Sequence, residues 1–365
     1  MPLTRLTAPA AHADRFEKFS PHDDSLPALP PLDWAAIDGQ PPVLLSAPAD
    51  TLPEADAVVI TWAESEWAAL EHVFVRSNHE MPYEASHESH WSEWQSYDRD
   101  MPPYGGSDSE SWDSWGAYRL VKISDRKVLL FKSNTHLDWP GQRYLEDLIY
   151  RIARDVRPRL LLSVGTAGGS RLHDHLGTVN VVNAGALYDP DTAPPGWPTY
   201  AASFAPNWSI IEKPGFGELL FPIPATPERL RKLADGFNAH YGTDYPLRVL
   251  NPGRLNDPTP EPVLNDLTPQ KTALLTTATF VVGNTSGRYA DFACIEMDDA
   301  VIGKVCKEKG VSFAFVRNLS DPAQNADLPT EVQGNWGSAV YDLFGFYTSY
   351  NGALAAWAIL AAEEG

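Results

Sequence analysis

Apolar and β-branched residues occur along the chain in short runs that alternate with helical patterns. The run DAVVIT over 56–61 is typical of a strand, and in the next segment, 64–75, the apolar positions recur at helical spacing. A helical pattern over 141–155 leads into RLLLSV over 159–164, whose unbroken hydrophobicity is typical of a strand buried on both faces. This alternation predicts one α/β domain with a central mixed sheet flanked by helices.

The remaining elements follow from the same patterns. Gly310 ends a helix that lies between two apolar runs. A strand, a helix and a strand in this order predict a right-handed parallel crossover over 293–319. Strands are predicted over 117–124, 127–133, 177–184, 271–276, 278–282, 293–297 and 311–319, and helices over 226–241, 298–309 and in one or two C-terminal segments.

Proline-rich and polar stretches interrupt the pattern and set the predicted domain boundaries. Residues 1–54 predict an irregular, proline-rich N-terminal arm, whose few large residues hold it against the body. Residues 55–365 form the predicted α/β domain, with two long inserts at about 77–115 and 186–262. The first insert is predicted to be too polar for the core. Its tryptophans are expected to pack the insert, to form a subunit contact or to line a pocket.

Charge and composition exclude several classes of binding partner and location. The net charge of −20 repels phosphate backbones, which argues against nucleic acid or an anionic membrane surface as a partner. The longest apolar run, 353–362, falls short of the roughly 18 residues that a membrane helix needs. The two cysteines and an N-terminus without an apolar h-region favour a cytoplasmic protein. The HESH run over 87–90 lacks the spacing of a helical zinc pair, so neither a metal nor a cofactor is expected.

Acidic residues follow two of the predicted strands. In CIEMDDA, over 294–300, Asp298 or Asp299 would serve as the N-cap of the next helix. Capping does not account for Glu296, which lies in an otherwise apolar stretch. Asp321, in RNLSD, follows the next strand, where an ordinary turn would explain it alone. Because both acids follow strands of one crossover, we expect them at the sheet edge where open α/β sheets bind ligands.

The segment IEMDDAVIGKVCKEKGVSFAFVRNLSD resembles the closing segment of the nucleoside phosphorylase and nucleosidase superfamily. Three blocks upstream resemble further parts of that superfamily in the same order. They are the glycine-rich turn SVGTAGG over 163–169, the strand LGTVNVV over 176–182 and the base-site segment TATFV over 277–281. The resemblance implies a purine ribosyl-cleaving enzyme with a small-molecule nucleoside or nucleotide substrate, and a homo-oligomer.

The segment after the first strand separates the two chemistries of this superfamily. Phosphorylases have a glycine-rich loop with an arginine there, whereas this chain has ITWAESEW over 60–67. That segment is similar to the methylthioadenosine/S-adenosylhomocysteine nucleosidases, in which a glutamate at the position of Glu66 orients the hydrolytic water. The alternative is a pair of exposed acids in the first turn of a helix. The resemblance therefore implies water, rather than phosphate, as the nucleophile.

The resemblance also implies a role for each site residue. Cleavage of a ribosyl–purine bond passes through an oxocarbenium-like state, so the base needs a proton and water must approach the opposite face. Asp321 would donate the proton and Glu66 would activate the water. The substrate-binding residues would be Glu296, Met297 and Asp298 for the ribose, Phe280 and Val281 for the purine, and Thr166, Ala167 and Gly168 for a close approach of backbone to sugar.

Three features differ from the superfamily pattern, so the resemblance does not specify which nucleoside or nucleotide is the substrate. Asp298 stands where the superfamily usually has glutamate, THLDWPG over 135–141 replaces a short glycine-containing turn, and the inserts are long. Arg171 and Arg288 are candidates for a contact with a 5′-phosphate, although a polar loop explains Arg171 as well. The alternatives are an AMP or ATP nucleosidase that depletes a nucleotide pool, a phosphorylase whose phosphate is held by Arg143 or Arg288, and an inactive purine sensor.

Overall fold

A computed structural model describes most of the chain. The described residues are 19–87, 93–106, 112–172, 174–193, 195–251, 262–278, 287–321, 325 and 327–363. The strands are β1 Val43–Leu45, β2 Ala57–Thr61, β3 Gln95–Tyr97, β4 Gly116–Ile123, β5 Arg126–Ser133, β6 Leu160–Gly168, β7 Val179–Val182, β8 Ala184–Leu187, β9 Thr199–Ala201, β10 Leu264–Asp266, β11 Leu274–Thr276, β12 Ile295–Glu296 and β13 Ser312–Asp321. The helices are α1 Glu64–Phe74, α2 Gln142–Asp155, α3 Phe216–Leu219, α4 Pro227–Tyr241, α5 Leu247–Leu250, α6 Asp299–Lys309 and α7 Thr330–Ala362.

All of these strands belong to one mixed sheet, which confirms the predicted fold class. Its main path runs β1-β4-β5-β2-β6-β12-β11-β8-β9, and β13 joins β6 to β7. β2 is parallel to β5 and β6, and β6 is parallel to β13. The carboxyl ends of these four strands therefore lie at one edge, where ligands bind in open α/β sheets.

Helices cover both faces of the sheet. In β2, Val59 packs with residues of α1 and α7, whereas Val58 and Ile60 pack with residues of α2 and α6. Successive strand residues point to opposite faces, so β2 contributes to both layers of core. This burial on both faces explains the unbroken hydrophobic runs of β2 and β6.

The C-terminal segment is a single helix, α7, with the predicted apolar run 353–362 at its end. Helix α7 is buried over most of its circumference because it packs between α1 and β13. Even polar residues of this helix, such as Asn351, are buried. Within the part of the chain that the structure describes, we find no helix with the length and hydrophobicity to cross a bilayer.

The predicted parallel crossover over 293–319 is wrong. β12 is a strand of only two residues whose pairing with β6 is antiparallel, through Ile295 and Gly168, whereas β13 is parallel to β6. Gly168 is the last residue of β6, so β12 still lies at the carboxyl edge. The predicted strand over 177–184 is divided into β7 and β8, and most of the strand predicted over 278–282 lies outside the described residues.

The prediction that the first insert is too polar for the core is also wrong. Trp94, Tyr97, Trp112 and Trp115 are buried, and β3 adds a strand to the sheet beside β4. A few aromatic side chains bury a large apolar area even within a polar segment. The average polarity of the segment does not reveal that these individual residues are buried. In the second insert, helix α4 forms as predicted.

Candidate functional site

Arg317 lies at the centre of a group of buried acids at the carboxyl edge of the sheet. Its Nε donates to Oδ2 of Asp299 at 2.6 Å, and its Nη2 donates to Oδ1 of Asp299 at 2.5 Å and to Oγ of Ser163 at 2.7 Å. Nη2 also lies 3.3 Å from Oε2 of Glu296. The bidentate pair with Asp299 holds the guanidinium in one orientation.

Glu66 is buried in the first turn of α1 and joins that helix to β6. Its Oε2 accepts from Oγ1 of Thr61 and from the backbone N–H groups of Trp62 and Ala63, each at 2.9 Å. Its Oε1 accepts from the backbone N–H and from Oγ1 of Thr166, both at 2.7 Å. Burial alone would raise the pKa of Glu66, but Arg317 and these donors outweigh burial and lower it. Glu66 is therefore a carboxylate at neutral pH, and its two oxygens are fully hydrogen-bonded.

Glu296, rather than Asp298 or Asp299, caps the N-terminus of α6. Its carboxylate accepts from the backbone N–H of Asp298 at 2.7 Å and of Asp299 at 3.0 Å, and from Oγ1 of Thr276. The expected capping by Asp298 or Asp299 is thus wrong, because their side chains reach other partners. Burial, and next the neighbouring Asp299, raise the pKa of Glu296 to about 8.

The side chain of Asp298 contacts the turn after β5. Its Oδ2 accepts from Nδ1 of His136 and its Oδ1 from the backbone N–H of Leu137, both at 2.9 Å. The segment 135–141 thus contacts Asp298, the acid that follows β12.

Asp321 ends β13 next to the glycine-rich turn. Its Oδ1 accepts from Oγ of Ser320 at 3.0 Å, and burial raises the pKa of Asp321 to about 6. A Cβ atom on Gly168 would lie 3.0 Å from Oδ2 of Asp321. A Cβ on Gly165 would lie 2.4 Å from Nη1 of Arg317 and 2.9 Å from Oε1 of Glu66. These two glycines therefore leave the space that the charged side chains occupy.

Replacing Gly165 is expected to destabilise the protein. In Gly165→Ala the new methyl group overlaps Arg317, which the bidentate pair with Asp299 prevents from moving. We expect the free energy of unfolding in urea to fall by about 1–3 kcal/mol, the usual cost of overpacking. Gly217→Ala is the control, since no atom lies within 4 Å of its added Cβ. Equal stability of the two variants would contradict the prediction.

The other predicted residues are distributed as follows. Thr166 contacts Glu66, Ala167 is buried and Met297 is half-buried beside Glu296. Nε of Arg171 pairs with Oδ1 of Asp174 at 3.0 Å, and the guanidinium of Arg288 lies 5.3 Å from the ring centre of Tyr289. Phe280, Val281 and part of the HESH run lie outside the described residues.

Arg317, Asp299 and His136 were not predicted from the sequence as site residues. One signal was available for Arg317, because it is the single charged residue in the apolar run FAFVRNL. A charge in a strand buried on both faces needs a buried partner. Lys132 is a further buried cation: burial lowers the pKa of Lys132 to about 7, and its Nζ donates to Oδ1 of Asn134 at 2.7 Å.

The sequence matches no protein-family model, and no curated protein is significantly similar to it. Solved structures with a similar fold include a 5′-methylthioadenosine/S-adenosylhomocysteine nucleosidase from Neisseria meningitidis, at 14% identity and a TM-score of 0.47, covering 84% of this chain and all of that one. The S-adenosylhomocysteine nucleosidase of Streptococcus pyogenes is 13% identical with a TM-score of 0.47, covering 86% and 99% of the two chains. Futalosine hydrolase of Helicobacter pylori is 12% identical with a TM-score of 0.44, covering 83% and 97%.

Proposed function

We propose that this protein is a nucleosidase that hydrolyses the N-glycosidic bond of a purine nucleoside or nucleotide and releases the free base. One observation carries the proposal. Two carboxyl groups at the same sheet edge have their pKa values moved in opposite directions, Asp321 upwards to about 6 and Glu66 downwards. Such divergence supports the presence of an acid and an anion in one site, and cleavage of a glycosidic bond requires both.

Asp321 is the proposed general acid. With a pKa of about 6, roughly a tenth of this carboxyl group is protonated at pH 7 and about half at pH 6, far more than for an ordinary aspartate. An acid whose pKa lies near the working pH combines availability of the proton with the ability to transfer it. Protonation of the purine turns it into a better leaving group, while positive charge develops on the sugar.

Glu66 is proposed to act on the water through Thr166. Its own oxygens are occupied, but the hydroxyl of Thr166 donates its hydrogen to Oε1 and keeps its oxygen lone pairs as acceptors. A water molecule that donates to Thr166 is therefore polarised by the Glu66 carboxylate behind it. The negative charge of Glu66 also stabilises an oxocarbenium-like sugar.

Water is favoured over phosphate as the nucleophile by the state of Arg317. To bind an attacking phosphate dianion, a protein needs a cation with N–H groups that are not already hydrogen-bonded to its own acids. The guanidinium of Arg317 is already held by Asp299, with both carboxylate oxygens engaged. The carboxylate of Glu66, whose pKa is lowered, also lies close to Arg317 and disfavours the approach of a further anion.

Product analysis tests this function. The enzyme is incubated in phosphate-free buffer with adenosine, methylthioadenosine, AMP and ATP, and free adenine is measured by chromatography. We expect adenine and the free sugar or sugar phosphate, with ¹⁸O from labelled water on the anomeric carbon. Adenine that appears only after phosphate is added, together with ribose 1-phosphate, would establish a phosphorylase instead. No release of base from any of the four substrates would refute the proposal.

Glu66→Gln is expected to slow base release roughly 10- to 100-fold, the contribution of a hydrogen bond to a charged group. The amide keeps the size of the side chain but removes the negative charge that polarises water through Thr166. Glu64→Gln, in the same helical turn but partly exposed, is the matched control and should retain the rate. Initial rates at saturating substrate measure the effect. Equal rates for the two variants would remove Glu66 from the mechanism.

A further inference from the structure

The side chain of Asp298 is oriented by the turn after β5. Asp298 is buried, and its two oxygens accept from Nδ1 of His136 and from the backbone N–H of Leu137, both at 2.9 Å. Since a carboxylate only accepts hydrogen bonds, Nδ1 of His136 carries the hydrogen. The imidazole and the backbone thus fix the plane of the carboxylate from two directions.

The turn that carries His136 is itself held rigidly. The backbone N–H of His136 donates to the carbonyl of Trp139 at 2.7 Å, and its carbonyl accepts from the N–H of Gly141 at 3.3 Å. Nε1 of Trp62, next to β2, donates to the carbonyl of Thr135 at 2.7 Å. The rings of Trp62 and His136 have their centres 6.0 Å apart. The position of Nδ1 is therefore determined by β2 and α2 as well as by its own turn.

Asp298 keeps part of its capacity to accept hydrogen bonds. A carboxylate has about four lone-pair positions, two on each oxygen. His136 occupies one position on Oδ2 and Leu137 one on Oδ1, so one position remains on each oxygen. Two acceptors about 2.2 Å apart on one rigid group suit two hydroxyl groups on neighbouring carbon atoms.

We propose that His136 is a positioning residue that orients Asp298 towards the neighbouring 2′- and 3′-hydroxyls of the substrate's sugar, and that it thereby makes the enzyme prefer ribonucleosides to deoxyribonucleosides. The inference rests on the proposed function, because it needs the sugar of a nucleoside at this edge of the sheet. It assigns to His136 a role in substrate discrimination that is separate from proton donation and from water activation.

The charges around His136 support this role. Burial by itself lowers the pKa of His136, but Asp298 and, more weakly, Asp138 outweigh burial and raise it, while Lys132 opposes them. The contact with Asp298 is thus a charge-assisted hydrogen bond in the protonated form of the histidine. Such bonds are shorter and stronger than neutral ones, which suits a group that fixes the direction of another.

The test compares kcat/KM for adenosine and 2′-deoxyadenosine in the wild-type protein and in two variants. His136→Phe keeps a ring but removes the donor, and His136→Asn places an amide nitrogen near the position of Nδ1. We expect His136→Phe to reduce the preference for adenosine roughly 10- to 100-fold, the value of a hydrogen bond to a charged group. His136→Asn is expected to keep most of the preference. His79→Phe, an exposed histidine, is the control and should leave the preference unchanged.

The ratio of the two kcat/KM values does not depend on how much of a preparation is folded, because both substrates are measured on the same sample. Should His136→Phe fail to fold, His136→Gln replaces it, since its amide reaches the position of Nε2 rather than Nδ1. An unchanged ratio in the Phe or Gln variant, with base release intact, would overturn the inference and leave the proposed function standing. So would equal rates for both nucleosides in the wild type. Base release from neither nucleoside in the wild type would overturn both.

Discussion

Asp321→Asn is expected to reduce base release by roughly 10²- to 10⁴-fold, the contribution of a positioned general acid. The amide has nearly the same shape and can still accept from Oγ of Ser320, but it has no proton to give to the purine. Substrate binding should persist, so kcat falls while KM changes little. Single-turnover rates at saturating adenosine, together with binding of adenosine by calorimetry, separate these two quantities.

The pH dependence gives a second test of Asp321. Burial raises the pKa of this carboxyl group to about 6, so its protonated fraction is large below that pH and falls as the pH rises through it. The rate of base release should therefore decrease as the pH rises above about 6. In Asp321→Asn this decrease should disappear.

Asp327→Asn is the matched control, because Asp327 is exposed and lies six positions further along the chain. It should retain both the rate and the pH profile. An Asp321→Asn variant that keeps wild-type turnover would exclude Asp321 as the proton donor. Loss of turnover with an unchanged pH profile for the residual rate would assign the titration to another group.

Arg317→Met is expected to lower the free energy of unfolding by about 3–5 kcal/mol, the usual cost of breaking a buried ion pair. Methionine fills much of the volume of arginine but leaves the buried carboxylate of Asp299 without its partner. Glu66 and Glu296 also lose the nearby cation. Urea-induced unfolding, followed by tryptophan fluorescence, measures the loss.

Two further measurements identify the cause of that loss. The double variant Arg317→Met with Asp299→Leu should recover part of the lost stability, because it removes the carboxylate that was left unpaired. Without the cation, the pKa of Glu296 and Asp299 should rise further above the unfolded value. A group whose pKa is higher in the folded than in the unfolded protein stabilises the fold less as the pH rises. The loss in free energy of unfolding caused by Arg317→Met should therefore be larger at pH 8 than at pH 5.

Arg154→Met is the control, since Arg154 also forms a bidentate pair, with Asp155, but at the exposed surface. Exposed pairs contribute about 0–1 kcal/mol. Equal losses in Arg154→Met and Arg317→Met, or no recovery in the double variant, would contradict a central role for the Arg317–Asp299 pair.

The sequence predicted the elements that local patterns define. The hydrophobic runs of β2 and β6 and the helical spacing in α1 and α4 depend on neighbouring residues, and these elements form as expected. The local pattern was insufficient where a residue far along the chain determines the structure. β12 takes its direction from its pairing with Gly168, and Trp94, Trp112 and Trp115 of the first insert are buried by strands and helices that precede and follow them.

The site shows the same distinction between what local sequence predicts and what tertiary contacts determine. By itself, the sequence determined that acids follow several strands at one edge of an α/β sheet, since strand ends and the glycine-rich turn can be recognised locally. Only the tertiary structure decided what each acid does. Glu296 caps α6, Asp299 binds Arg317, Asp298 binds His136, and the pKa values of Glu66 and Asp321 move in opposite directions. The physical reason is that the charge and orientation of a buried carboxyl group depend on its desolvation and on nearby donors, and these donors come from segments far apart in the chain.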